Sequence, residues 1–123
     1  MEKRKLNILI VDDNKTFTER MTSLLKDTES VSNIHTAYNY DEAASLLTEE
    51  PDLVLLDINL PGRNGISILK QIKNSGSTSE VIMVSNYAGE YYRKECEKFG
   101  ARFFLDKTND FELLPGILNI MRN

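Results

Sequence analysis

The stretch LNILIV (6–11) decides the fold: short, rich in Ile, Leu and Val, and closed at once by Asp12 and Asp13. A near-continuous aliphatic run of this kind reads as a strand covered on both faces. Working outward, LVLL (53–56), VIMV (81–84) and RFFL (102–105) repeat the character, and NIHTA (33–37) is a weaker, more polar version. Between these runs the apolar residues switch to helical spacing. Phe17, Met21, Leu24 and Leu25 line one helix face, and Ala43, Leu46 and Leu47 mark a second behind a capping box of Asn39 and Glu42. Ile68, Leu69 and Ile72 mark a third, opened by Asn64. Tyr92, Cys96 and Phe99 mark a fourth, closed by Gly100, and Leu114, Ile117, Leu118 and Met121 mark the last.

Strands alternating with helices of this length predict an α/β fold, a doubly wound parallel sheet with helices on both faces. The first, third and fourth strands are expected at its centre and the polar second strand at an edge. Pro115 and Gly116 interrupt the last helical pattern. A short turn over 110–114 is therefore expected, with the helix starting near Pro115, since proline is tolerated in a first turn.

The bulk numbers fit one domain spanning residues 1–123: 41% hydrophobic, 28% charged and a net charge of −4. The acidic balance argues against direct nucleic-acid binding, which needs clustered Lys and Arg. Lys3, Arg4 and Lys5 form the one basic cluster and read as a solvated lead into the first strand. A single cysteine, Cys96, allows no internal disulfide and suits a reducing cytoplasm. No apolar stretch approaches the roughly 20 residues that span a bilayer, so no membrane role is expected. Nothing follows the last helix in this sequence, and no separate effector domain is expected.

The ends of the strands carry the chemistry. In an open parallel sheet the carboxyl ends converge on one crevice, which gathers Asp12, Asp13, Asp57, Ser85 and Lys107. A lone acid after a strand is a common loop start; the signal is that all of these fall at the same edge. Three crowded carboxylates repel one another unless a cation neutralises them, and Mg²⁺ suits an all-oxygen set beside a phosphate. Asp57 could attack a phosphoryl group as a nucleophile, with Lys107 and Ser85 offering charge and a donor to its oxygens.

Four motifs, VDDN (11–14), LLDINLPGRNG (55–65), MVSN (83–86) and FGARFFLDK (99–107), together resemble the receiver domains of two-component response regulators. The likeness covers essentially the whole chain and is similar in kind to the stand-alone chemotaxis regulator. It implies a flavodoxin-like sheet of five strands in the order 2-1-3-4-5 with five helices. It implies that Asp57 accepts a phosphoryl group from a phosphohistidine on a sensor histidine kinase or histidine phosphotransfer protein. Mg²⁺ would be held by Asp12, Asp13, Asp57 and the main-chain carbonyl of Asn59, Asp12 acting through water. Lys107 would pair with the phosphoryl oxygens, and Ser85 and Phe104 would form the switch that alters the helix 4–strand 5–helix 5 surface for an unidentified output protein. Asn59, Asn86 and Tyr87 would modulate the lifetime of the phosphoryl group. Pro61 and Gly65 are expected to serve only turn geometry, and His35 to be a surface residue.

Two positions depart from the family pattern. Thr108 stands where proline usually follows the lysine, often in a cis bond. A cis bond before a non-proline residue costs about 3–4 kcal/mol, so the loop either carries that strain or runs trans. Asn86 is larger than the usual Ala or Gly at the pocket mouth. A phosphorylation-independent, degenerate receiver is the alternative these departures leave. A small metal-dependent aspartyl-phosphate phosphatase is a second; such enzymes carry an acid two residues after the nucleophile, where this chain has Asn59. A flavodoxin-like cofactor binder is a third, disfavoured by the acidic first loop.

Overall fold

The computed structural model describes residues 5–86 and 89–121. Five strands form one parallel sheet: β1 (Leu6–Val11), β2 (Val31–Ala37), β3 (Leu53–Asp57), β4 (Glu80–Ser85) and β5 (Phe103–Asp106), in the order β2-β1-β3-β4-β5. Five helices alternate with them: α1 (Lys15–Lys26), α2 (Tyr40–Leu47), α3 (Gly65–Asn74), α4 (Glu90–Lys98) and α5 (Leu114–Met121). The expected strand order and helix number are observed. Among the described residues no helix is long and apolar enough to cross a membrane.

Alternation along each strand divides the interior into two cores. Leu9, Val11, Val54, Leu56, Val81, Met83 and Phe104 face one way and pack with Ala43 of α2, Ile68, Leu69 and Ile72 of α3, and Cys96 of α4. Ile8, Ile10, Leu53, Leu55, Ile82, Val84 and Leu105 face the other way, against Phe17, Met21 and Leu25 of α1 and Leu114 and Leu118 of α5. The three central strands are buried on both sides. That is why their sequence is aliphatic throughout, while edge strand β2 keeps exposed Ser32, Asn33 and His35.

The caps behave as their residue types dictate. Asn14, Asn39 and Asn64 precede α1, α2 and α3, and their side chains accept from the N–H groups of Phe17, Glu42 and Ile66. Glu42 Oε1 in turn accepts from Tyr38 N at 2.7 Å, one residue outside the expected capping box. Gly100 ends the α4 turn with φ +94, the left-handed conformation glycine adopts at little cost. A 3₁₀ turn at Phe111–Leu113 precedes α5, with Pro115 in its first turn, as the proline required.

Several details differ from the sequence reading, and β3 and β4 also run a residue past the apolar runs that mark them. β2 begins at Val31, two residues early, because Val31 is buried in the core covered by α1 and α5 and pairs with Leu6 before a register slip. β5 is displaced by one residue, Asp106 pairing with Ser85. A small antiparallel hairpin, Asn59–Leu60 with Arg63–Asn64, fills what reads in sequence as a plain loop.

Candidate functional site

Register sets the positions. Leu56 pairs with Val11 on one side and Met83 on the other, and Met83 with Phe104. Asp12 leaves β1 one residue beyond that row, Asp57 ends β3 level with Val84, and Lys107 follows β5 with its N–H bonded to Ser85 O at 3.0 Å. Parity along the strands places Asp12, Asp57 and Lys107 on the α1/α5 side of the sheet. Ser85 and Phe104 fall on the opposite side, toward α4.

Asp12 and Asp57 are buried and Asp13 is exposed; a carboxylate oxygen from each lies within 4.8 Å of the others. Lys107 Nζ sits 2.5 Å from Asp12 Oδ2 and 3.5 Å from Asp57 Oδ2, with only 7% of its side chain exposed. Its ammonium also lies over the Phe17 ring, 4.6 Å from the centroid. Asp12 Oδ1 accepts from Asn14 N at 2.9 Å, and Asp57 Oδ1 accepts a longer bond from Asn59 N at 3.3 Å. Burial first, and the charge of Asp12 second, push the Asp57 carboxyl up from 3.8 to about 6, against the opposing pull of Lys107.

One ammonium therefore faces three carboxylates, leaving a net deficit of about two positive charges. Only oxygens are offered. A small hard divalent cation such as Mg²⁺ fits that donor set in charge and in kind.

Residues 8–119 match the response regulator receiver domain family. The chain belongs to that family. It is a receiver domain of the two-component signalling systems. Transcriptional regulatory protein CpxR of Klebsiella pneumoniae is 37% identical over 116 residues, covering 94% of this chain and 49% of that protein. The chain thus spans about half the length of the curated relatives it matches. The signal receiver domain of the DNA-binding response regulator merR from Colwellia psychrerythraea superposes with a TM-score of 0.87 at 29% identity, covering 93% of this chain and 95% of that one. The receiver domain of NarL from Mycobacterium tuberculosis matches with a TM-score of 0.87 at 22% identity, over 97% of both chains, and shares the fold.

The other predicted receiver residues fall as follows. Ser85 is fully buried at the end of β4. Phe104 is buried in the α2–α4 core beneath Arg93, whose guanidinium lies 4.9 Å from the ring centroid and whose Nη1 donates to Phe104 O at 3.4 Å. Asn59 is exposed on the hairpin beside Asp57, and Asn86 is exposed just past Ser85. Tyr87 lies outside the described residues. His35 is exposed on edge strand β2, away from the acidic set. None of the described peptide bonds is cis, so Lys107–Thr108 takes the trans path and Lys107 still reaches both buried acids.

Gly65 does more than shape a turn. It is buried, its N–H donates to Ile58 O at 2.6 Å, and a Cβ there would lie 2.0 Å from Asp57 O. Only glycine lets α3 start this close to the residue it supports. The sequence offers no signal of that approach beyond a glycine beside a cap. The places of Phe17 beneath Lys107 and of Arg93 over Phe104 are also missed by sequence reasoning, because each reads as an ordinary helix position.

Proposed function

We propose that this receiver takes a phosphoryl group onto Asp57 from a phosphohistidine on a sensor histidine kinase or histidine phosphotransfer protein. The observation that supports it most is the convergence of three carboxylates within 4.8 Å around a buried lysine that spans two of them. An oxygen of Asp57 forms the new bond to phosphorus as the P–N bond breaks; the phosphohistidine ring reacts protonated on its other nitrogen, so the histidine leaves with the P–N electron pair as neutral imidazole. Asp12, Asp13, Asp57 and the Asn59 carbonyl would hold Mg²⁺. When bound, that ion supplies charge neutralisation to the carboxylates and to the phosphoryl oxygens. Lys107, 3.5 Å from Asp57 Oδ2, needs a short displacement to pair with an oxygen of the attached group. Ser85 donates its hydroxyl to another.

The switch follows from parity. A group on Asp57 that draws Ser85 pulls the end of β4, and the packing of Phe104 against Arg93 answers on the α4 side. The output is a changed α4–β5–α5 surface for a protein partner, in the cytoplasm, with no direct contact to nucleic acid by this domain. Asn59 and Asn86, exposed beside Asp57 and Ser85, set together with Tyr87 how long the phosphoryl group survives. The domain catalyses only the gain and loss of its own phosphoryl group.

Intact mass after incubation with acetyl phosphate and Mg²⁺ tests this directly. Wild type gains one phosphoryl group, chelation abolishes the gain, and Asp57→Asn gains none. No gain by wild type, or an equal gain by both, overturns the assignment.

A further inference from the structure

Next to the acidic pocket lies a cavity of opposite character. It holds about 240 Å³ and is lined by Asn14, Thr16, Phe17, Arg20, Asn86, Lys107 and Thr108, with no acidic residue on its wall among the described residues. Its two cations are mounted on an aromatic pair. Lys107 Nζ lies 4.6 Å from the Phe17 centroid, Phe17 meets Phe111 edge to face at 5.9 Å, and the Arg20 guanidinium lies 4.8 Å from the Phe111 centroid. Lys107 is engaged by Asp12 and Asp57, whereas among the described residues no carboxylate pairs with Arg20. A guanidinium held over a ring, beside a cavity, with no carboxylate partner among the described residues, is suited to a small carboxylate or phosphate.

We propose that this cavity is a subsite for the leaving group of small acyl phosphate donors, with Arg20 as its specificity-determining residue. The inference rests on Asp57 being the phosphoacceptor. Charge selects the approach: a donor coming over Asp13 meets the carboxylates, whereas one coming over Arg20 and Lys107 meets two cations. With acetyl phosphate, an oxygen of Asp57 bonds to phosphorus while the bridging P–O bond breaks. Acetate leaves with that electron pair, needs no proton, and departs as an anion beside Arg20. Phosphoramidate transfers the same group but releases neutral ammonia, which a guanidinium does not assist. The amides of Asn14 and Asn86 and the hydroxyl of Thr108 give the cavity a polar wall that accommodates an acyl group of a few atoms.

The test compares the two donors with Mg²⁺ present, following phosphorylation by intact mass because the chain has no tryptophan to report it. In Arg20→Ala the ratio of the acetyl phosphate rate constant to the phosphoramidate rate constant falls about tenfold, the scale of one exposed charge-assisted contact. Arg20→Lys, which keeps the charge but loses the fork, falls about threefold. A thermal melt of each variant establishes that Arg20, an exposed position, leaves the fold intact. An unchanged donor ratio in Arg20→Ala, whether both rates fall together or neither moves, overturns the subsite. Failure of wild type with both donors is a different result: it overturns Asp57 as acceptor and this inference with it.

Discussion

Replacing Asp57 with Asn should stabilise the cation-free protein. The Asp57 carboxyl is held up at about 6, against an ordinary 3.8, by burial and by Asp12. At about 1.4 kcal/mol per tenfold change in proton affinity, ionising it in the fold costs about 3 kcal/mol at pH 7.5. The sign follows from linkage. The folded state binds this proton more tightly than the unfolded chain, so the stability is present below about 4 and is lost as pH rises to about 6. Above that the loss is constant. Asn fills the same space and cannot ionise, so it recovers most of that term: about 3 kcal/mol at pH 7.5 and about half as much at pH 5. For a domain of this size that is on the order of 10 °C in melting temperature. Calorimetric melts of both proteins in EDTA across that range measure it, and Mg²⁺ should narrow the gap by binding the folded wild type. Equal or lower stability of Asp57→Asn at pH 7.5 would refute the claim that burial and the Asp12 charge make an ionised Asp57 costly in the fold.

The remaining expectations are simpler. Gly65→Ala places a methyl group 2.0 Å from Asp57 O and should lower stability by at least about 2 kcal/mol in urea unfolding; a silent substitution would mean that the β3–α3 junction yields freely. Asn14→Ala removes the bond from Phe17 N at 3.0 Å and should cost about 1 kcal/mol in the same assay. Cys96, fully buried with its thiol pushed up to about 11 by burial, should resist thiol reagents at pH 8 until the protein is unfolded. Asn86→Ala should change the decay rate of the phosphorylated protein, measured by loss of the added mass; identical rates would remove Asn86 from the pocket mouth.

Much of the architecture was legible because the forces that build it are local and periodic. The central strands betray themselves in aliphatic runs, Asn39 and Asn64 in their cap positions, Gly100 in its left-handed turn, and Pro115 in the break before α5. The acidic set was legible because parallel strands bring their ends together whatever lies between. What stayed hidden depends on distances across the fold. No pattern reveals that Gly65 touches the backbone of Asp57, that Phe17 underlies Lys107, or that Arg20 shares a cavity with it. The start of β2 was obscured because Ser32 and Asn33, exposed on an edge, dilute the apolar signal of Val31.

The two cores on either side of the sheet give one chemical event two mechanical audiences. Asp57 and Lys107 stand on the α1/α5 side, where Lys107 rests on Phe17 and Phe17 on Phe111. Ser85 and Phe104 stand on the α4 side, where Arg93 roofs the aromatic ring. The edge where these four residues meet is thus shared by two layers built from non-overlapping sets of side chains. If Asp57 is phosphorylated as proposed, a substitution confined to one layer should leave the packing of the other untouched, and the two could be altered one at a time.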